Sequence, residues 1–155
     1  MKIAIFLLLL TSISGSTWAF CFQEAGSRYQ VSPWLLWSIA KVESGLDPNA
    51  INQNRNGTVD VGLMQVNSIW AEQLGKTWDH LDDPCTNVMT GAWILNQCVQ
   101  DYGYTWKAVG CYHSRTPERR DAYALKIATI LARIKGPFGP DEKPDENYYY
   151  TMDKP

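Results

Sequence analysis

Two acidic residues, Glu43 and Asp60, are the candidates for chemistry in this 155-residue chain. On a helix, Glu43 continues an apolar stripe at positions spaced by three and four residues, formed by Leu36, Ile39 and Ala40. A carboxyl group on that face is desolvated, which raises its pKa and suits it to act as a general acid. The helix dipole opposes a negative charge near a helix C-terminus, so an acid kept there calls for a reason.

Each acid also has an ordinary interpretation. A glutamate in the last turn of a helix is usually an exposed surface residue, and Asp60 is equally well read as a turn residue that caps local amides. Asp60 follows Glu43 by seventeen residues, in a segment that alternates like a strand. A helix-end acid facing a strand acid is the arrangement of glycosidases, in which one acid protonates the leaving oxygen and the other stabilises positive charge or acts as nucleophile.

The elements that would position these acids are mostly helices. Ser32-Pro33 predicts the start of a helix over residues 34–44, and Gly45 is a suitable C-terminal stop. The loop at 47–57 is rich in Asn, and its Asn-Gly turn before the alternating residues 58–61 predicts a small β-hairpin. Further helices are expected at about 68–74, 85–102, 105–112 and 117–134. The pattern predicts a mainly α domain with a small β-hairpin.

The two ends of the chain differ in composition from its middle. Residues 1–19 carry Lys2, an unbroken apolar run and a small-x-small cleavage site ending at Ala19, which predicts a secretory signal peptide and no stable membrane span. Residues 136–155 contain four prolines, several acids and no apolar periodicity, which predicts a disordered tail. We expect residues 20–135 to form one domain with a single core, and the protein to be a monomer.

Two disulfides are expected, because all four cysteines lie in the predicted exported part: Cys21, Cys85, Cys98 and Cys111. If residues 85–98 form one helix, Cys85 and Cys98 are roughly 20 Å apart at 1.5 Å per residue. That separation exceeds the roughly 7 Å between Cα atoms that a disulfide allows. Of the three possible pairings this excludes the one with Cys85–Cys98. Of the two that remain, we prefer Cys98–Cys111 across a helical hairpin together with Cys21–Cys85.

Charge and ligand spacing exclude several classes of function. The net charge of −2 becomes −3 without Lys2, so the chain has no basic footprint for nucleic acid. There is no C-x-x-C pair, and neither His80 nor His113 lies at zinc-ligand spacing. The Asn-rich segment 52–57 resembles the start of a calcium loop, but it lacks the first acid and has Leu63 where a bidentate Glu is needed. We expect no metal and no cofactor.

Three ordered motifs make a more specific signal. They are Glu43-Ser44-Gly45, GLMQVN at residues 62–67 and GCYHS at residues 110–114. Together they resemble the lytic transglycosylase family with its lysozyme-like SLT domain, and most of all its small secreted members that accompany type III secretion, type IV secretion and conjugation machines. The resemblance covers about residues 21–133. It implies a mainly α, lysozyme-like single domain in the periplasm, with peptidoglycan glycan strands as substrate and components of such a machine as further partners.

Carried over to this sequence, the resemblance implies a role for each motif residue. Glu43 would protonate the glycosidic oxygen and then take the C6 hydroxyl proton of N-acetylmuramic acid (MurNAc), so that a 1,6-anhydro ring closes without water. The sugar's own N-acetyl carbonyl would relieve the positive charge at the anomeric carbon. Tyr112 would hydrogen-bond Glu43 and orient it. The sugar cleft would be lined by Ser44, Met64, Gln65, Asn67 and Tyr112.

Two features depart from the family pattern. The third motif commonly continues with Asn after its Tyr, whereas His113 follows Tyr112 here; we interpret His113 as a packed or exposed histidine, not a catalytic one. Most members use a lone Glu, so Asp60 allows a hybrid mechanism, and we expect it to lie in the cleft and support catalysis.

The function expected is therefore a transglycosylase that cleaves the β-1,4 bond between MurNAc and N-acetylglucosamine (GlcNAc), opening the wall locally for a secretion or conjugation apparatus. One alternative is a hydrolytic muramidase that uses Glu43 with Asp60. Another, from a different class, is a non-catalytic glycan-binding assembly factor.

Overall fold

A computed structural model describes residues 20–134, which form a mainly helical fold with a small three-stranded antiparallel sheet. The helices are α1 (Phe22–Tyr29), α2 (Pro33–Glu43), α3 (Ala71–Leu74), α4 (Pro84–Tyr102), α5 (Trp106–Cys111) and α6 (Pro117–Leu131). The strands are β1 (Ile51–Gln53), β2 (Val59–Val61) and β3 (Val66–Asn67), and 3₁₀ helices occupy Ser68–Trp70 and Gly75–His80. The predicted signal peptide (1–19) and tail (136–155) lie outside the described residues.

Helix α2 begins and ends as its sequence predicts. The Ser32 hydroxyl accepts a hydrogen bond of 3.2 Å from the backbone N–H of Trp34, and Pro33 occupies the first turn. Gly45 follows the helix with a φ of 71°, a left-handed conformation that glycine adopts without strain. The inward stripe is fully buried, with 0% exposure at Leu36, Ile39 and Ala40. The predicted apolar face is confirmed.

Both expected disulfides are confirmed. Cys21–Cys85 has a Cα–Cα distance of 5.2 Å and links the residue before α1 to the start of α4. Cys98–Cys111 has a Cα–Cα distance of 5.8 Å and links α4 to the end of α5. Helix α1 itself is not among the predicted elements, because Cys21 at its start is in the left-handed region and its side chain makes no capping hydrogen bond.

The sheet is larger than the predicted hairpin by one strand. β1 and β2 form the hairpin, and β3 pairs with the other edge of β2, which places Asp60 opposite both Asn52 and Asn67. The helix expected at 68–74 is divided into a 3₁₀ helix and the short α3, and the last helix ends at Leu131 instead of 134. Within residues 20–134, no helix is long and apolar enough to cross a membrane.

Candidate active site

A groove of about 640 Å³ lies between the end of α2 and the sheet. The sheet and the loop before it contribute polar residues to its lining: Asn54, Thr58, Asp60, Gln65 and Asn67. The helical side contributes the acid at the end of α2 together with larger apolar and aromatic groups: Glu43, Trp70, Ile94, Tyr112 and His113. Polar groups against apolar and aromatic walls are what a polysaccharide groove needs. Both candidate acids line the same groove.

Glu43 has the surroundings of a proton donor. Burial raises the pKa of its carboxyl from 4.5 to about 7, and the negative charge of Asp60 adds to the rise. The hydroxyl of Tyr123 on α6 donates a hydrogen bond to Glu43 Oε1, and this bond together with the charge of Lys126 opposes the rise. A carboxyl with a pKa near 7 carries a proton through mildly acidic pH, which suits general acid catalysis.

Asp60 is held by side-chain amides. Asn54 Nδ2 donates to Asp60 Oδ2 at 2.9 Å, and Asn67 Nδ2 donates to Asp60 Oδ1 at 2.5 Å. Both amides also donate to the hydroxyl oxygen of Thr58, each at 3.1 Å. The asparagines of the loop at 47–57 and of β3 therefore fix the carboxyl group of Asp60 in the wall of the groove.

The expected partner of Glu43 needs correction. The Tyr112 hydroxyl donates to the backbone carbonyl of Met64 at 2.7 Å, and the phenol that donates to Glu43 belongs to Tyr123. A phenol has a single O–H, so Tyr112 does not donate to both groups. Tyr112 still contributes to the lining of the groove. From the sequence, Tyr123 is predicted only to lie on the last helix, at 117–134. The available signal was that a tyrosine on the core-facing side of a helix needs a partner for its hydroxyl.

The residues of the second motif, 62–67, mainly stabilise the loop that forms part of the groove wall. Gln65 Nε2 donates to the carbonyls of Gly62 (2.8 Å) and Ala50 (3.1 Å), and Gln65 Oε1 accepts from Asn52 Nδ2 at 2.5 Å. Met64 was expected to line the groove, but this prediction is wrong, because its side chain is 0% exposed. It packs against α4 at Gly91, where a Cβ would lie 2.7 Å from the Met64 side chain. The close packing of this loop on α4 explains why the thioether is buried.

Ser44 is likewise used inside the protein. Its hydroxyl contacts the carbonyls of Leu63 at 2.8 Å and Ala40 at 3.2 Å, and so joins the end of α2 to the loop before β3. Asn87 on α4, absent from the predicted site, supports the same loop by accepting from the Met64 N–H at 2.8 Å. Gly62 has a φ of 74°, and a Cβ there would lie 2.2 Å from Asn87 Nδ2, so no larger residue fits.

His113 packs against the partner of Glu43. Its ring is stacked on that of Tyr123, with 4.8 Å between the ring centroids and an interplanar angle of 4°. Burial lowers the pKa of His113, and the positive charges of Arg119 and Lys126 lower it further. The imidazole is therefore a neutral, stacked group at the edge of the groove near neutral pH.

Comparison with known proteins gives one family and several similar chains. A sequence model described as the transglycosylase SLT domain matches residues 20–126. The chain is 40% identical over 140 residues to invasion protein IagB of Salmonella typhimurium, covering 84% of this chain and 88% of that protein. It is 37% identical over 117 residues to protein IpgF of Shigella flexneri, covering 73% and 77% respectively. It is 37% identical over 147 residues to the X polypeptide of Escherichia coli, covering 88% and 86%.

Proposed function

Because the chain belongs to the transglycosylase SLT family and is a peptidoglycan lytic transglycosylase, we propose that it cleaves the MurNAc–GlcNAc β-1,4 bond with formation of 1,6-anhydro-MurNAc. The observation that carries this proposal is the carboxyl group of Glu43, which lies in the wall of the groove with its pKa raised to about 7. An acid in that state holds the proton that the leaving glycosidic oxygen requires.

In the first step, Glu43 donates its proton to the glycosidic oxygen as the bond to the MurNAc anomeric carbon breaks. Positioned proton transfer of this kind contributes roughly 10²- to 10⁴-fold in rate. The carboxylate left behind is stabilised by the O–H of Tyr123, which already donates to Glu43. The positive charge on the anomeric carbon is relieved by the neighbouring N-acetyl carbonyl oxygen.

In the second step, the same carboxylate removes the proton from the C6 hydroxyl of MurNAc. O6 then bonds to the anomeric carbon and displaces the N-acetyl oxygen, which closes the 1,6-anhydro ring. Glu43 regains its proton, no water is consumed, and the residue is ready for the next cycle.

Asp60 has a supporting role in this scheme. Its carboxyl group lines the same groove and is held in place by Asn54 and Asn67. A negative charge there stabilises the developing positive charge on the sugar. Gln65, Asn67 and Tyr112 also line the groove and are our proposed sugar contacts, whereas we assign Ser44 and Met64 to holding its shape.

A hydrolytic muramidase is the second candidate. It is favoured by one observation, that Asp60 lies in the same groove as Glu43 and its charge raises the pKa of Glu43. In that mechanism water, instead of O6, completes the reaction at the anomeric carbon. The family membership and the proton-holding Glu43 argue against the third alternative, a glycan-binding factor without chemistry.

We further propose that the enzyme works in the periplasm, where it opens the wall locally for a secretion or conjugation apparatus. The predicted leader peptide supports export, and one relative is named an invasion protein. Components of the apparatus would then be its partners, besides the glycan strands.

Mass analysis of purified peptidoglycan digested by the mature protein tests the proposed chemistry. Fragments ending in 1,6-anhydro-MurNAc are expected from wild type and from Glu24→Gln, a matched change at an exposed glutamate of α1. Glu43→Gln is expected to lose these fragments, with a fall in turnover of about 10³-fold or more. Fragments heavier by one water would establish the muramidase instead, and undiminished turnover by Glu43→Gln would refute both enzymatic mechanisms.

A further inference from the structure

A second pocket of about 400 Å³ adjoins the groove and shares three of its lining residues: Glu43, His113 and Arg119. Its remaining lining comes from Val42 and from one face of α6, formed by Ala122, Tyr123 and Lys126. The pocket therefore opens directly beside the carboxyl group that we assign to proton transfer.

Two cationic residues, Arg119 and Lys126, line this side pocket together with the acid Glu43. Arg119 and Lys126 are seven residues apart on α6, so they lie two turns apart on one face, with the small Ala122 between them. Within the part of the chain that the structure describes, neither makes a hydrogen bond or an ion pair, whereas the nearby Arg115 and Arg120 are each paired with an aspartate. The charges of Arg119 and Lys126 also reach the pocket, because both act on His113.

An anion is the ligand that this arrangement fits. The charge of Lys126 acts on Glu43, but neither cation has an ion-pair partner within the described residues. In a chain with a net charge of −2, two such cations at one pocket are a local exception. The side chains of Arg119 and Lys126 are exposed, so water competes with an anion for them. They therefore favour a negatively charged ligand but do not bind it tightly.

The proposed substrate carries such an anion close to the bond that is cleaved. The MurNAc unit that reacts beside Glu43 bears, on O3, a lactyl group that continues into an acidic peptide stem. At about 3.3–3.6 Å per residue, the first two residues of an extended stem reach about 7 Å from the lactyl group. A carboxylate of the stem can therefore enter a pocket that begins at Glu43.

We propose that the side pocket, through Arg119 and Lys126, binds a carboxylate of the peptide stem on the MurNAc unit whose bond is cleaved. The enzyme then distinguishes glycan strands that carry acidic stems from strands whose stems are neutral or absent. This inference rests on the proposed function, since it requires MurNAc to lie next to Glu43.

Three matched substrates test this inference with the mature protein: glycan strands with free stem carboxyl groups, the same strands with those carboxyl groups amidated, and strands stripped of their stems. The readout is the ratio of kcat/KM for the free-acid strands to that for the amidated strands, so a general loss of activity cancels. The double variant Arg119→Gln/Lys126→Gln is compared with Lys107→Gln/Arg133→Gln, which removes the same charge from exposed positions on α5 and after α6. Arg119→Lys/Lys126→Arg keeps the charge in the pocket.

We expect wild type to prefer the free-acid strands and Arg119→Gln/Lys126→Gln to reduce the ratio by roughly three- to tenfold, the range for two exposed ion pairs. The control at positions 107 and 133 should keep the wild-type ratio, and the charge-conserving variant should keep most of it. For wild type, raising NaCl from about 50 mM to about 500 mM should also lower the ratio of kcat/KM for free-acid strands to that for amidated strands, because salt screens exposed charges.

Two results overturn the inference in distinguishable ways. If wild type shows a ratio near one, or the Gln variant keeps the wild-type ratio, while 1,6-anhydro ends still form on stripped strands, the side pocket has no such role and the proposed function stands. If wild type produces no 1,6-anhydro ends on any of the three substrates, the proposed function and the inference fail together.

Discussion

The helical side and the sheet side of the groove hold their acids in opposite ways. Glu43 ends an apolar helix face, and burial raises the pKa of its carboxyl to about 7. Asp60 lies on β2, where Asn54 and Asn67 each donate a hydrogen bond to one of its oxygens. One side withdraws a carboxyl group from water, and the other surrounds a carboxyl group with amide donors.

The difference gives a physical basis for the separate tasks that we propose for the two carboxyl groups. Desolvation favours the neutral form of an acid, which then has a proton to give. Hydrogen-bond donors hold an acid as an acceptor, which suits it to face positive charge. Residue type alone does not separate the two tasks, so variants that alter one side of the groove at a time distinguish them.

The largest expected effect comes from the helical side. We compare the free energy of unfolding of Glu43→Gln with that of wild type at about pH 4 and about pH 8. The variant's advantage over wild type should grow by about 3 kcal/mol from the lower pH to the higher. The folded-state pKa of about 7 lies above the ordinary glutamate pKa of 4.5, so the folded wild type binds more protons than the unfolded chain within this window. Wild-type stability from this group is therefore lost as the pH rises through the window, and the neutral amide avoids the loss.

Urea unfolding of both proteins at the two pH values measures this gain. Subtracting the wild-type free energy of unfolding from that of the variant at each pH cancels the contribution of the other titrating groups. Glu24→Gln, on the exposed part of α1, is the matched control. An equal free-energy difference at both pH values would show that Glu43 is not desolvated.

On the sheet side, Asp60→Asn should lower kcat/KM by about 10- to 100-fold, because the groove loses the charge that stabilises the developing cation. The change should also move the fall in rate at high pH to lower pH, because the charge of Asp60 raises the pKa of Glu43. The kcat/KM–pH profile measures both effects, with Asp82→Asn, at an exposed position, as control. An unchanged profile would leave Asp60 as an anchor for the Asn-rich loop only.

Removing the phenol that donates to Glu43 should have a smaller effect. Tyr123→Phe is expected to lower kcat by about tenfold, because the carboxylate formed after proton donation loses a charge-assisted hydrogen bond. That hydrogen bond lowers the pKa of Glu43, so its loss raises the pKa and shifts the high-pH fall in rate upward. The kcat–pH profile tests this, with Tyr104→Phe, 44% exposed, as the matched control.

The smallest effect sharpens the distinction between the two tyrosines. Tyr112→Phe should lower the free energy of unfolding by about 1–2 kcal/mol, because the carbonyl of Met64 loses its donor. The position of the high-pH fall in rate should stay as in wild type. Urea unfolding and the kcat–pH profile measure the two quantities. A shift in Tyr112→Phe with none in Tyr123→Phe would reverse the assignment of the partner of Glu43.

Helix α2 and the disulfides were predictable because their signals are local. The Ser32-Pro33 start, the apolar stripe and the stop at Gly45 lie within fourteen consecutive residues, and each acts through its near neighbours. The length of one helix keeps Cys85 and Cys98 apart and so excluded one of the three possible disulfide pairings, and a helical hairpin favoured Cys98–Cys111 among the two that remained. Helix α1 was not predictable in this way, since it begins without a capping side chain.

The contacts inside the site were less predictable, because they join distant parts of the chain. Tyr123 and Glu43 are 80 residues apart, and they meet because α6 packs against α2. Met64 and Ser44 belong to recognisable motifs, but a motif does not state whether a side chain faces the groove or the core. Their outcome depended on how closely the loop packs on α4 and on the end of α2.

By itself, the sequence predicted most of the helical framework, the preferred disulfide pairing and the family, and it singled out the two candidate acids, since periodicity, caps and motif order are written in consecutive residues. Only the tertiary structure decided which phenol meets Glu43, which motif residues are buried, and that unpaired cations lie beside the acid. The physical reason is that a hydrogen bond or a pKa depends on atoms brought within a few ångströms from several elements, and that arrangement exists only after the helices and the sheet have packed.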